Sequence, residues 1–244
     1  MARFGQDERA LDAVPRGVWL ALAIALFAQI GWQVTQPKPV ARAAALEVPL
    51  PTAVLRVAGA GEPAVLAHLL TLYLQAYDNQ PGISIPFNDL DYPRVAQWLE
   101  TLLALDPAGH YPLLLAAQVY SQVPDPARQR VMLDFVHRQF LRDPDRRWRW
   151  LTHVVIMAKH RLKDDALALA YARDITRYAK AAPNWARQMQ IFILEDIGEL
   201  ESAKILLGGL LDSGEVTDER EIYFLAGRLD AIKNAEKPSP APRK

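Results

Sequence analysis

The side chains best able to do chemistry are few and scattered. His68, His110, His137, His153 and His160 are the only imidazoles, and none stands in an H-E-x-x-H or similar ligand spacing. His153 and His160 fall on one helix face, but seven residues is about two turns, too far for one ion without further ligands. The chain has no cysteine, which removes disulfides, thiolate metal sites and cysteine nucleophiles together. There is no G-x-S-x-G turn and no P-loop. Val57-Ala58-Gly59-Ala60-Gly61 lacks the third glycine and the βαβ setting of a dinucleotide-binding turn. The carboxylate pairs Asp164-Asp165 and Glu195-Asp196 sit at helix turns, where solvation or N-terminal charge stabilisation accounts for them. No nucleophile, base and orienting group can be assembled from neighbouring positions, so the reading is non-enzymatic, with no catalytic residue, no metal and no cofactor.

Recognition remains. Seven arginines lie between Arg128 and Arg149, interleaved with His137, Trp148 and Trp150, and only Asp134, Asp143 and Asp145 oppose them. Arginine forks and indole rings are favoured at binding hot spots, so Arg138, Arg142, Arg146, Arg147, Trp148 and Arg149 are the candidate partner-binding residues. An acidic protein segment, lipid headgroups or a nucleic acid would all suit them. The competing account packs Trp150 between helices while the arginines snorkel or pair with nearby carboxylates. Across the whole chain 28 basic and 28 acidic side chains cancel, so no global field draws it to nucleic acid, and none is expected as a partner. Residues 195 to 221 are rich in Glu and Asp, which makes the chain electrically polar along its length and suits an oriented partner or head-to-tail contact with a second copy.

The elements that must position these residues are helices. From Pro63 onward apolar residues recur at three and four positions, as in Leu66, Leu69, Leu70, Tyr73 and Leu74, the period of one buried helix face. This pattern predicts helices over 63–77, 91–105, 111–122, 126–142, 146–161, 164–180, 184–197, 199–213 and 217–235. Their separators are Asp106-Pro107, Pro124-Asp125, Asp143-Pro144, Pro183-Asn184 and Ser213-Gly214. No alternating strand run is visible. The long break at 78–90 holds Ile83, Ile85 and Phe87, which are expected to tuck back over the first hairpin because their exposure is costly.

Ahead of the helices, Gly17 to Pro37 contains 21 residues without an ionisable group. At ~1.5 Å per residue this is about 30 Å, the thickness of a bilayer core, with Trp19 and Trp32 near the two ends where indoles favour the interface. Ala41-Arg42-Ala43 has the small-x-small form of a signal-peptide cleavage site, but it lies about 13 to 15 residues past the strongly apolar stretch, longer than a usual signal tail. A retained anchor is the reading. Arg3, Arg9, Arg16 and the α-amine outweigh Lys38 and Arg42, which favours a cytoplasmic N-terminus. The expected organisation is a cytoplasmic segment at 1–16, a transmembrane helix at 17–36 and a Pro/Ala/Gly linker at 37–62 with short pieces able to pack on the domain. A helical domain at 63–232 and a disordered tail at 233–244 follow.

One turn carries a family likeness. Ile197-Gly198-Glu199-Leu200-Glu201-Ser202-Ala203 resembles the turn between the two helices of a tetratricopeptide repeat, and the position of Ala203 projects upstream onto Ala168, Met132 and Val95 at separations of 35, 36 and 37. Trp150 and Trp185 lie 35 apart, and Leu105-Asp106-Pro107 has the form that often ends a repeat. The likeness covers about residues 90 to 214; Met132 departs from the small residue of the pattern. It implies an all-α fold: a TPR-like α-solenoid of stacked helical hairpins whose concave surface binds polypeptide. With the anchor, this implies a scaffold or assembly factor of a membrane or envelope complex, single-pass in a bacterial inner membrane, with its C-terminal domain in the periplasm and a protein as partner. The alternative is a lipid- or small-molecule-binding helical domain with a pocket beneath the 78–90 loop. The oligomeric state stays open.

Overall fold

A computed structural model describes residues 14–36, 43–80 and 82–235. Helix makes up 74% of the structure and strand 2%, which places the chain in the expected all-α class. The chain divides into two compact units, Met1–Arg42 and Ala43–Lys244.

The described part of the first unit is α1, Arg16–Thr35, with Pro15 before its first turn and no buried residue. It is long and apolar enough to cross a membrane. The expected N-terminal segment lies outside the described residues up to 13, as does the part of the linker at 37–42.

The second unit begins earlier than the expected domain boundary at 63. Leu46 and Leu55 are buried, the Trp98 indole donates to the Glu47 carbonyl at 2.8 Å, and Thr52–Ala58 forms a helix, α2. The proposed linker is therefore shorter than 37–62; its apolar islands fold because each has a core position to fill. After α3 (Pro63–Ala76) come β1 (Asn79–Gln80) and β2 (Ile83–Ser84), a two-residue antiparallel pairing with Asn79 opposite Ser84, too short for an alternating pattern to register in sequence. Ile85 and Leu90 are buried, Ile83 is half-buried, and Phe87 meets Tyr120 edge-on at 5.8 Å but stays 38% exposed, so the segment tucks inward only in part.

The rest is helix: α4 (Tyr92–Leu105), α5 (Tyr111–Leu114), α6 (Pro126–Arg142), α7 (Pro144–His160), α8 (Asp165–Tyr178), α9 (Asn184–Arg187), α10 (Met189–Asp196), α11 (Leu200–Asp212) and α12 (Glu219–Ala235). α4, α6 and α8 each start at an aspartate whose carboxylate accepts a backbone N–H three residues on: Asp91 from Arg94, Asp125 from Arg128, Asp164 from Leu167. Two expected helices are broken. In 111–122, α5 passes into a π-helical turn at Leu115–Val119 and a 3-10 turn at Tyr120–Gln122. The Tyr120 carbonyl there accepts from the buried Tyr92 hydroxyl at 2.9 Å. In 184–197 the break falls at buried Gln188, and the Arg187 carbonyl accepts from the Thr176 hydroxyl at 2.6 Å. α7 starts two residues before the expected 146, because Pro144 fits the first helical turn, where no N–H is needed. α12 reaches Ala235, three residues into the expected tail; residues 236–244 lie outside the described set.

Consecutive helices α6, α7 and α8 pack on one another, as do α10, α11 and α12, while α4 also meets α6 and α8 meets α10. The four positions projected from the repeat pattern, Val95, Met132, Ala168 and Ala203, are all buried. Polar ties between helices recur at a nearly fixed chain separation. Arg130 to Asp164 spans 34 residues, Asp134 to Tyr171 and His137 to Asp174 span 37, Lys159 to Asp196 spans 37, and Arg228 to Glu195 spans 33.

The turns repeat too. Gly198, before α11, has φ +83°, and Lys163, 35 residues earlier and before α8, has φ +56°. A lysine in the left-handed region crowds its Cβ against backbone, a cost glycine avoids. Replacing Lys163→Gly should raise stability by about 0.5–1 kcal/mol, read as a higher urea midpoint at unchanged slope in detergent-solubilised protein; a lower midpoint would show that the lysine side chain holds the turn.

Candidate functional site

The predicted basic segment runs through α6 and the first half of α7, and the two helices divide its side chains between inside and outside. Arg147 is inside, 5% exposed. Its guanidinium donates to the Gln139 carbonyl at 2.7 Å, to Gln139 Oε1 at 3.0 Å and to the Pro107 carbonyl at 3.1 Å, tying α6, α7 and the turn after α4 together. That removes Arg147 from the surface a partner could touch. Burial lowers its pKa from the usual guanidinium value, with Asp143 opposing and the charges of Arg142 and Arg146 adding to the shift. It stays protonated at any ordinary pH.

The other arginines are exposed and differ in what they hold. Arg142 pairs with Glu100 at 2.7 Å and Arg146 with Asp143 at 3.0 Å. Arg138 is exposed and has no ion-pair partner among the described residues. Arg149 lies over the Trp148 ring, 5.7 Å from its centroid. Trp150 is buried, as the competing account expected; its indole N–H reaches His110 Nδ1 at 3.3 Å and its ring stacks on His153. Burial, then the charges of Arg149, Arg146 and Arg147, lower the His110 pKa from 6.5, with Asp106 acting the other way. The shift favours the neutral imidazole, the form whose ring nitrogen can accept the indole N–H.

Trp148 is the residue that faces a neighbour worth noting. Its ring meets Trp185 edge-on at 5.7 Å, and Trp185, 55% exposed, also lines an open cleft of about 710 Å³ with Pro183, Asn184, Gln188, Phe192, Glu221 and Phe224. Phe192 and Phe224 lie 6.5 Å apart with the Arg228 guanidinium over both rings. Glu221 accepts from Gln188 Nε2 at 2.6 Å and Asn184 Nδ2 at 3.3 Å. The spacing of tryptophans matters here. Trp150 and Trp185 are 35 apart in sequence, yet the pair that meets is Trp148 and Trp185. Phe192 and Phe224 carried no signal in the sequence, since each reads as an ordinary apolar helix position.

The acidic stretch is only partly paired within the chain. Glu195 pairs with Arg228, Asp196 with Lys159, Glu215 with Arg187 and Glu201 with Lys204, while Glu199, Asp212, Asp218 and Glu219 stay on the exposed surface. Beneath the 78–90 segment there is a second cavity of about 440 Å³, lined by Leu46, Tyr77, Ile85, Leu90, Asp89 and Asp91 among others. Among the described residues no three His, Asp or Glu side chains converge in a metal-binding group.

These observations define a predominantly helical protein with one N-terminal helix able by length and composition to cross a membrane. The chain matches no known family model, no curated protein and no solved structure.

Truncating Arg147→Ala strands the Gln139 and Pro107 carbonyls and Gln139 Oε1 inside the protein. The expected cost is about 2–3 kcal/mol, measured as a drop in denaturation midpoint, whereas Arg138→Ala, at an exposed site, should leave the midpoint where it was. Equal effects would mean that Arg147 does not brace the α6–α7 corner.

Proposed function

We propose that the chain is a membrane-anchored scaffold or assembly factor, a TPR-like stack of helical hairpins that binds another protein of a membrane or envelope complex. The observation that carries this reading is the exposed Trp185, braced edge-on by the half-buried Trp148 and lining a cleft with Phe192 and Phe224. Solvent-facing indole and phenyl rings beside Arg149 and Arg228 have the composition of a binding hot spot, where large rigid rings bury much area at small entropic cost. The repeat reading draws support from the polar ties at 33 to 37 residues and from the buried Val95, Met132, Ala168 and Ala203. The binding surface then consists of Arg138, Arg142, Arg146, Trp148 and Arg149 together with the cleft, with Arg147 as its internal brace.

Crosslinking tests the partner. A photoreactive amino acid replacing Trp185 in the full chain, irradiated in intact cells, should give a discrete protein adduct that is absent when the probe replaces exposed Lys180 and is reduced at least about tenfold by Phe224→Ala, the loss expected for a hot-spot ring. The alternative, a lipid- or small-molecule-binding domain using the cavity beneath 78–90, would be favoured by adducts of lipid mass from the same probe at Ser84, which lines that cavity, with no protein adduct at 185. The same yield at 185 and 180 would remove the cleft as a site.

α1 is read as a retained anchor, with Arg3, Arg9 and Arg16 on the cytoplasmic side and residues 38–244 in the periplasm of a two-membrane bacterium. Alkaline phosphatase fused after Lys244 should be active in such a host, because that enzyme folds only outside the cytoplasm. Activity confined to a cytoplasmic reporter at the same place would reverse the orientation.

A further inference from the structure

Helix α3 is apolar on both sides. From Pro63 to Ala76 there is no Asp, Glu, Lys or Arg, and the polar side chains are His68, Thr71, Tyr73 and Gln75. Ala67, Thr71 and Leu74 are buried, with α3 packed against α4. On the opposite side Val65, Leu69, Leu72 and Tyr73 are exposed, Leu72 by 62%. At about 100° per residue, Val65, Leu69, Leu72 and Ala76 fall within an arc of about 60°, so the centre of the outward face holds no polar group. A helix on the surface of a water-soluble domain normally presents charges there. In α2, Val57 is 82% exposed and Val54 is exposed beside it.

Two observations bear on what covers this face. Taken together, α2 and α3 have the length and apolarity of a membrane span, bent by 109° at their break. They nevertheless do not cross one, because Leu55 is buried, the Arg56 guanidinium donates to the Ala104 carbonyl at 3.1 Å, and α3 is fastened to α4. They have the chemistry of lipid contact in a position that permits only one-sided contact. Seven peptide links join Gln36 to Ala43, a reach of at most about 25 Å. With α1 in the bilayer, chain length alone keeps the start of the helical unit close to the membrane surface. At the edge of the face, the Tyr73 ring packs on Trp98 at 5.5 Å and Gln75 donates to the exposed Tyr111 hydroxyl at 2.9 Å. Both tyrosines are exposed, Tyr73 by 48% and Tyr111 by 45%, and amphipathic tyrosine rings beside an apolar surface favour the headgroup level.

We propose that the outward face of α3 lies in the surface of a phospholipid bilayer, seating Leu69 and Leu72 at the headgroup–acyl boundary and fixing the orientation of the helical unit. Such helices settle about 5–10 Å into that boundary. The inference rests on the anchor reading of α1 only for its tether argument.

Because the chain has no cysteine, single labels are unambiguous. Full-length Leu72→Cys, Leu22→Cys and Lys180→Cys, each carrying a nitroxide, are placed at low density in vesicles of phosphatidylcholine and phosphatidylglycerol. Collision with oxygen reports lipid and collision with a nickel chelate reports water. The label at 72 should lose its nickel accessibility and gain oxygen accessibility relative to the label at 180. High nickel accessibility at 72 overturns the proposal, and protection from both reagents overturns it in favour of a protein cover such as a second copy. The label at 22 reads the anchor separately: if it meets nickel while 72 meets oxygen, the docking holds and the anchor falls.

Discussion

Stability of the second unit depends on the shared core of α6, α7 and α8. Leu133, Phe135, Val136 and Phe140 of α6, Leu151, Val154 and Val155 of α7, and Ala168, Ala172 and Ile175 of α8 are essentially without solvent contact. Each large aliphatic or aromatic side chain among them contributes about 1.5–3 kcal/mol on leaving water. No single helix can realise that gain. α7 has apolar positions for two neighbours, so it must be sandwiched, and once it is, the faces of α6 and α8 are committed as well. Small residues do the spacing: Ala158, Ala168 and Ala172 are fully buried and let the helix axes come close.

Polar groups then set the register that apolar packing leaves loose. The contacts between α6 and α8 include Asp134 with the Tyr171 hydroxyl at 2.9 Å and His137 with Asp174 at 2.6 Å, with the His137 and Tyr171 rings 4.6 Å apart. Burial raises the Tyr171 pKa, as it raises that of Tyr92 to about 12, so both hydroxyls remain protonated donors at physiological pH. Sliding one helix by a turn would strand these groups in a poorly solvated place, a cost of about 1–3 kcal/mol each. The same logic puts Arg147 at the α6–α7 corner, where it satisfies carbonyls that the turn leaves open.

Among the described residues, two of the surfaces that stay apolar when this packing is complete differ in kind. At the C-terminal end, Trp185, Phe192 and Phe224 are mixed with Arg228, Asn184, Gln188 and Glu221, polar groups able to discriminate between partners. On α3 the exposed face has no polar centre, which suits a solvent without directional demands.

How much of this was legible in the sequence follows from which forces are local. Helix ends depend on caps and turn residues within a few positions, so Asp91, Asp125, Asp164, Pro144 and Gly198 marked them closely, and the 35- to 37-residue spacing picked out four buried positions. The all-α class and the apolar α1 followed from the same short-range patterns. The breaks at 115–119 and 188 did not; the carbonyls beside them, of Tyr120 and Arg187, are satisfied by the Tyr92 and Thr176 hydroxyls, partners distant in sequence. One sequence account packs the Trp150 indole inside, and it is buried, but the sequence reading leaves Arg147 among the candidate surface arginines together with Arg149. Residues two apart on a helix point about 200° away from each other, and in α7 both directions carry an arginine and an indole. Which of them faced the core was decided by how α7 is rotated against α6 and α8, a property of the packed helices and of no stretch of chain alone.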